Sequence, residues 1–345
     1  MPKFMNPLIS SSQPLTLIAL PDFCVVTVQG EDAATFLHGQ LTNDITGLPD
    51  QTARLAAYCT PKGRVLATLV VWRAHDGTLH ILMPRDGADD VLKRLRMFVL
   101  RARVTFSLLN DTVWGVQPNE ALSARPGTGH DHPLGVDFLP QGTLIQAPGS
   151  QRWWFVASGA FDPATDAPAV QCGVADADTW HAGDIVCGLP WVRTKTRDTF
   201  LPQTLNLDLI NGVSFTKGCY PGQEVVARAH YRGTVKRRMA LGKATINKQR
   251  LDHLISGDPA GPALDATPTA YASMLAGTDL FSPSLPDTPC GRVIVAALPG
   301  ITDPHTVDQA MYLLLEVQIS DLENKSEFRL GQPAGPILNV TALVE

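Results

Sequence analysis

The chain has 345 residues, 44% hydrophobic and 18% charged, the balance of a soluble globular protein with room for two or three domains. Its net charge of −5 excludes a global attraction to nucleic acid or anionic membrane, so any basic site must be local. No uncharged apolar run reaches the roughly 18 residues of a membrane span, and the start, with one lysine and Pro14 in its apolar stretch, does not read as a leader.

In chain order, FCVVTVQG (23–30) reads as a buried strand closed by glycine, and EDAATFLHGQL places Ala33, Phe36, Leu37 and Leu41 at helical spacing. RLAAYCT, the turn PKGR, VLATLVVWRA, the turn HDG and TLHILMP predict a three-stranded meander ending near Pro84. ADDVLKRLRMFVLRA sets Val91, Leu92, Leu95, Phe98 and Val99 on one face of a helix of about four turns. RVTFSLL returns as a strand, so this block argues an α+β domain. Residues 117–150, rich in Pro, Gly and His, are expected to be surface connections. QRWWFVA reads as a strand, and DTWHAGDIVCGLP as a short helix ended by Gly188 and Pro190. Beyond Gly233 the apolar residues alternate or run together, predicting a small all-β domain or barrel from about 234, with 246–276 as a flexible insertion.

The six cysteines, Cys24, Cys59, Cys172, Cys187, Cys219 and Cys290, form no CxxC pair. That spacing argues for reduced thiols in a cytoplasm, against a disulfide framework and against a stable metal centre. Cys219 stands out in KGCYPGQEVVARAHYRG. Pro221 suits the first position of a helix, Glu224 its first turn, and Glu224 can pair with Arg228 one turn on. Cys219 would then lie just outside a helix N-terminus near Lys217, both of which favour a thiolate. A lone cysteine is most often a buried small hydrophobe, and local physics alone favours that structural reading. From Val225 to Leu251 there are eight Lys or Arg and no acid, densest at Arg228, Arg232, Lys236, Arg237 and Arg238. Such a run can bind phosphates, polyglutamate, RNA or an acidic protein, or simply be a solvated face.

KGCYPGQEVVAR resembles the signature of the YgfZ folate-binding family, relatives of the glycine-cleavage T-protein. The resemblance extends to FLPQTLNLDLINGVSFTKGCY (200–220), to GEDAATFLHGQLTND (30–44) and to PKGR (61–64), and spans most of residues 20–240. It implies a T-protein-like, multi-domain α+β body over 1–233, in two subdomains around a central folate-binding tunnel, and a C-terminal β-barrel over 234–345. It implies tetrahydrofolate or a derivative as ligand, and a role in iron–sulfur cluster assembly or repair, including in enzymes that thiolate tRNA.

Under this resemblance Cys219 is the essential cysteine, with Lys217, Gly218, Tyr220, Gly222, Gln223 and Glu224 completing its motif. Phe23 and Trp180 fall at the family's aromatic folate-contacting positions. Phe23 departs from the tryptophan of a bacterial member, which spares stacking on a pterin and removes an indole N–H bond. Gln40 and Asp44 either line the tunnel or orient a helix end, and Arg228 is a basic residue for the folate tail. A single thiolate cannot supply the four ligands usual for a cluster, so transient contact with a cluster or client is expected. Iron–sulfur enzymes or carriers are the implied clients, tRNA a further contact, and a monomer the implied state. Two rivals stand beside this reading: a folate-dependent aminomethyl or one-carbon transferase, whose own signature is not seen around 190–225, and a direct tRNA binder using 228–238.

Overall fold

The computed structural model describes residues 15–109, 111–118, 134–149, 151–159, 161–166, 170–172, 176–257, 264, 266–300 and 308–343. Strand β1 (Leu15–Ala19) is followed by the expected β2 (Phe23–Gln29). Its β-branched run is buried on both sides: Phe23 and Val25 face one core, and Cys24, Val26 and Val28 face another. Helix α1 (Ala33–Gln40) buries Ala33 and Leu37, and Leu41 bridges to Tyr58 beyond its end. The expected meander is β3 (Thr52–Cys59), β4 (Val65–Arg73) and β5 (Leu79–Pro84), paired antiparallel.

Helix α2 (Ala88–Met97) has ten residues, fewer than the four turns expected. The Phe98 N–H turns back onto the Leu95 carbonyl at 3.0 Å, which tightens and ends the last turn. Phe98, expected on the buried face, is therefore exposed along with Met97 and Leu100. Strand β6 (Thr105–Leu108) pairs with β2.

The second half of the sheet corrects one expectation. Around the undescribed residues 119–133, the stretch 117–150 contributes sheet as well as surface: β7 (Thr112–Pro118), then the hairpin β8 (Leu134–Leu139) and β9 (Gly142–Gln146). Its glycines punctuate short strands rather than abolish them. Strand β10 (Trp153–Ala157), the short α3 (Pro163–Asp166) and β11 (Val170–Cys172) follow. β8 pairs with β3 through Thr52 and Ala53, which joins the halves into one eleven-stranded sheet, β11-β1-β7-β10-β9-β8-β3-β4-β5-β2-β6. Helix α4 (Ala177–Val186) is N-capped by the Asp176 side chain.

After an irregular stretch comes α5 (Gln223–Tyr231), and then the barrel. Strand β12 (Arg237–Ile246) leads into helices α6 (Lys248–Ser256) and α7 (Pro268–Leu275). These two helices correct the flexible insertion expected over 246–276 at 248–256 and 268–275, while residues 258–263 and 265 lie outside the described residues. Asn247 caps the first, Gly257 closes it in a left-handed conformation, and Thr267 with Pro268 starts the second. Leu251, Tyr271 and Leu275 bury onto the barrel interior. Strands β13 (Asp279–Phe281), β14 (Gly291–Ala297), β15 (Gln309–Gln318), β16 (Phe328–Leu330) and β17 (Ile337–Ala342) close a six-stranded barrel, β12-β15-β14-β13-β16-β17.

Barrel and body share a core. Met239, Leu241, Val295 and Leu314 pack in the same cluster as Trp180, Ile185 and Leu189. Buried Asp178 of α4 accepts the Leu298 N–H at 3.0 Å and the Thr269 hydroxyl at 2.8 Å from the barrel side. Among the described residues no helix is long and apolar enough to cross a membrane.

Candidate functional site

The site is built where two irregular segments, 38–47 and 211–220, are stitched together. Thr42 donates its hydroxyl to the Gly212 carbonyl at 2.7 Å, and its own carbonyl accepts the Ser214 N–H at 2.9 Å. Asn43 Nδ2 donates to the carbonyls of Asn211 and Leu55, each at 2.7 Å. Lys217 Nζ donates to the carbonyls of His38 and Leu41, the latter at 2.8 Å, and lies over the Tyr220 ring. Burial drives the Lys217 ammonium down to about 8, against the attraction of Asp44 and Cys219.

Asp44 is the hub of the first segment. It accepts from the Gly47 N–H and the Thr46 hydroxyl, each at 2.9 Å, and lies 2.9 Å from His38 Nδ1. Burial opposes its ionisation, but these donors, Arg54 and His38 together hold the carboxyl at about 2. Arg54 is itself anchored by the carbonyls of Asp44 and Gly47.

Beside this seam opens a cavity of about 660 Å³, lined among others by Asn43, Asp44, Arg54, Asn211, Ser214 and Phe215. That volume suits a drug-sized ligand. The Phe215 ring stacks on His230 of α5 at 3.7 Å between centroids.

The motif residues take definite places. Cys219 is exposed, while Cys24, Cys59, Cys187 and Cys290 are buried. Helix α5 begins at Gln223 with Gly222 as its N-cap, so Pro221 is not its first residue and Cys219 stands four positions short of it. The helix macrodipole acts over about one turn and so supplies little to that sulfur. Glu224 occupies the first turn as expected, but among the described residues it forms no ion pair with Arg228. Gly222 has φ +84°, and a Cβ there would meet the Thr60 carbonyl oxygen at 2.4 Å and Gly63 Cα at 2.6 Å. The PKGR turn and the KGCY segment are thus one packed unit, although about 160 residues apart in the chain.

Of the expected ligand contacts, the structure brings only Asp44 to the cavity wall. Gln40 is half-buried at the end of α1, its Oε1 buried without a hydrogen-bond partner among the described residues. Arg228 is exposed on α5 and does not line the cavity. Phe23 and Trp180 are both fully buried. Phe23 packs edge-on against Trp191 at 4.9 Å. Trp180 lies against β7 where Gly115 has no side chain, since a Cβ there would sit 2.2 Å from the indole. The Arg152 guanidinium lies 4.0 Å from its ring centre. Neither aromatic lines the 660 Å³ cavity, whose aromatic wall is Phe215. Nor is the basic run a free patch throughout. Arg237 pairs with Glu316 at 2.9 Å, and Arg238 makes a bidentate pair with Asp208 at 2.6 and 3.0 Å.

Sequence reasoning missed the His38–Asp44 pair, the Arg54 anchor and Phe215 as the cavity's aromatic. Only the short spacing of His38, Asp44 and Thr46 within one segment carried a signal.

The chain is 34% identical over 250 residues to the tRNA-modifying protein YgfZ of Sodalis glossinidius, covering 69% of this chain and 75% of that protein. The chain belongs to the YgfZ family. The tRNA-modifying protein YgfZ of Klebsiella pneumoniae is 33% identical, over 68% of this chain and 73% of its own length. Among solved structures, the glycine cleavage system aminomethyltransferase T from Bartonella henselae superposes with a TM-score of 0.63 over 96% of this chain and 85% of its own, at 12% identity. This YgfZ-family chain therefore has the aminomethyltransferase fold, a similarity of architecture alone. No protein-family model matches the chain.

Proposed function

We propose that this YgfZ-family protein binds a reduced folate in the 660 Å³ cavity and supports iron–sulfur cluster assembly or repair, including in tRNA-thiolating enzymes, with Cys219 as its working thiol. The observation that carries the reading is the seam itself. The segment bearing the exposed cysteine is bonded directly to the one bearing the cavity's carboxylate. A pterin offers ring N–H donors and a flat π-face, and Asp44 and Phe215 supply an acceptor and a stacking partner for them. Bound tetrahydrofolate would supply one-carbon or reducing chemistry; the protein's part is to hold the ring and to tie the segment bearing the thiol to the cavity wall. Asn43 and Arg54 are held by backbone carbonyls, so the wall is pre-organised. An iron–sulfur cluster is cargo here, since the one exposed cysteine among the described thiols leaves other ligands to a client.

The test is calorimetric titration with tetrahydrofolate, beside complementation of a bacterial strain lacking its own family member. Wild type is expected to bind, Asp44→Ala and Phe215→Ala to bind at least about tenfold more weakly, matching loss of one good contact. Cys219→Ala is expected to bind folate normally yet fail to restore tRNA thiolation. Equal affinity in all variants, or full rescue by Cys219→Ala, defeats the proposal.

Direct tRNA contact has one supporting observation. Arg228, Arg232 and Lys236 are exposed near the stacked Phe215 and His230 rings and Tyr231, which meets both edge-on, a combination suited to unpaired bases.

A further inference from the structure

Cys219 needs a proton acceptor to act as a thiolate near neutral pH, and Lys217 of its own segment is engaged as a donor to the carbonyls of His38 and Leu41. The seam brings one from the other segment. The His38 imidazole sits so that a Cβ on Gly218 would lie 3.7 Å from Nε2. Gly218 has none, so the ring edge is uncovered one residue before the cysteine. Lys217, on the other side of that glycine, is tied to the carbonyls of His38 and Leu41. The cysteine loop is therefore clamped to the helix end that carries the imidazole.

The tautomer follows from the partner. Asp44 is ionised and can only accept, so the proton in its 2.9 Å contact belongs to His38 Nδ1. The Thr46 hydroxyl donates to the same carboxylate oxygen and so also meets Nδ1 as an acceptor. Nε2 is left with its lone pair, and among the described residues it makes no hydrogen bond.

We propose that His38 is the proton acceptor for the Cys219 thiol, with Asp44 as the positioning residue that keeps Nε2 free to receive the proton. The S–H bond breaks, its electron pair stays on Sγ, and the proton moves to Nε2, leaving a thiolate beside an imidazolium. No oxidant or reductant enters. In the resting arrangement no hydrogen bond joins Sγ and Nε2 among the described residues, so the contact forms as the Cys219 side chain turns toward the ring. Cys219 is exposed, so its side chain turns without displacing a packed neighbour. The charged groups set around the pair are Asp44, which pairs with His38, Arg54, which pairs with Asp44, and Lys217, which is attracted to Cys219.

The proposal rests on Cys219 as the working thiol, and its test reads the thiol alone. Iodoacetamide alkylation of the full-length protein is followed by mass spectrometry of the Cys219 peptide in wild type, His38→Gln and Asp44→Asn. An ordinary cysteine is only a few per cent thiolate at pH 7, so wild type is expected to react about tenfold faster than His38→Gln there. The wild-type rate should depend less steeply on pH than the His38→Gln rate, because the proton acceptor is built into the wild-type protein. Asp44→Asn should fall between them. Glutamine keeps an N–H for Asp44, and matching circular dichroism shows that the fold is intact. If His38→Gln alkylates at the wild-type rate with the same pH profile, His38 is not the acceptor. If Asp44→Asn alone matches wild type, Asp44 does not position it. Fast, His38-dependent alkylation together with full complementation by Cys219→Ala would overturn the proposed function and leave the His38 assignment standing.

Discussion

Replacing Arg152 with methionine tests what holds α4 against the sheet. The guanidinium is almost wholly buried, as is its partner Asp184, with side chains each 1% exposed and 2.8 Å apart. It also donates to the Trp180 carbonyl at 2.9 Å and the Pro148 carbonyl at 3.0 Å, and covers the Trp180 ring. Asp184 has one further donor, Trp191 Nε1 at 2.8 Å. Methionine refills much of the arginine stem, so the loss is not mainly a cavity. It is the desolvated Asp184 charge left without its cation, worth about 3–5 kcal/mol. For a protein of this size that corresponds to a fall in Tm on the order of 10 °C. The assay is urea and thermal unfolding at pH 7, followed by tryptophan fluorescence, which Trp154, Trp180 and Trp191 report directly. The companion Arg152→Met/Asp184→Asn keeps an acceptor for Trp191 and removes the stranded charge. It should therefore recover at least about 1 kcal/mol of the single variant's loss, because an uncharged group costs less to bury. A single variant within about 1 kcal/mol of wild type, or a double variant no better than the single, refutes this reasoning. Pro148 lines the cavity, so the same substitution should also weaken the proposed folate binding.

Other expectations follow from the same geometry. Gly222→Ala forces a side chain into a left-handed conformation and onto the Thr60 carbonyl, and should cost about 2 kcal/mol or more in denaturant unfolding; an unchanged midpoint would show that the PKGR and KGCY turns do not pack as described. Asp44 titrates lower in the folded chain than unfolded, so its contribution is present above about pH 4 and is lost as pH falls toward 2; the stability gap between wild type and Asp44→Asn should close over that window. Burial opposes the His181 charge, but ionised Asp22, 3.0 Å away, prevails and raises its pKa above the usual 6.5. Its contribution is then full below that value and lost as pH rises past it, so His181→Gln should flatten the decline of Tm on the alkaline side.

What the sequence made legible was local. β2 and the meander were readable because β-branched runs and turn residues specify them without distant help, and α1 because its apolar spacing is its own. Helices α6 and α7 were missed because their signals are caps, Asn247 and Thr267, inside a Pro- and Gly-rich stretch whose composition argued for a loop. The hairpin β8–β9 was missed for a related reason: its strands are short, and their meaning comes from pairing with Thr52 and Ala53, far away in the chain. At the site, Cys219, Lys217 and Asp44 were named, but not that a lysine and two carbonyls join their segments. The packing of Phe23 and Trp180 among Trp191, Trp154 and Arg152 was likewise not legible, because it is made by segments apart in the chain.

The basic run after α5 shows why burial must be read before charge is counted. Arg238 reaches Asp208, whose side chain is 5% exposed, and also donates to the Gln203 carbonyl at 2.9 Å. Neutralising it should act on stability, since the buried carboxylate loses a bidentate partner, a loss of about 3 kcal/mol for a well-desolvated pair. Arg232 and Lys236 are exposed and, among the described residues, have no acidic partner, so Arg232→Ala/Lys236→Ala should leave unfolding within about 0.5 kcal/mol of wild type. If tRNA lies along α5, each lost phosphate contact should lower the slope of log affinity against log salt by roughly one. Filter binding of unmodified tRNA across a salt series then separates the two classes. A reduced slope in Arg232→Ala/Lys236→Ala with unchanged stability places RNA on the segment that leaves this helix. A slope that changes only in Arg238→Ala, in step with partial unfolding, means that the run stabilises the barrel junction and contacts no RNA.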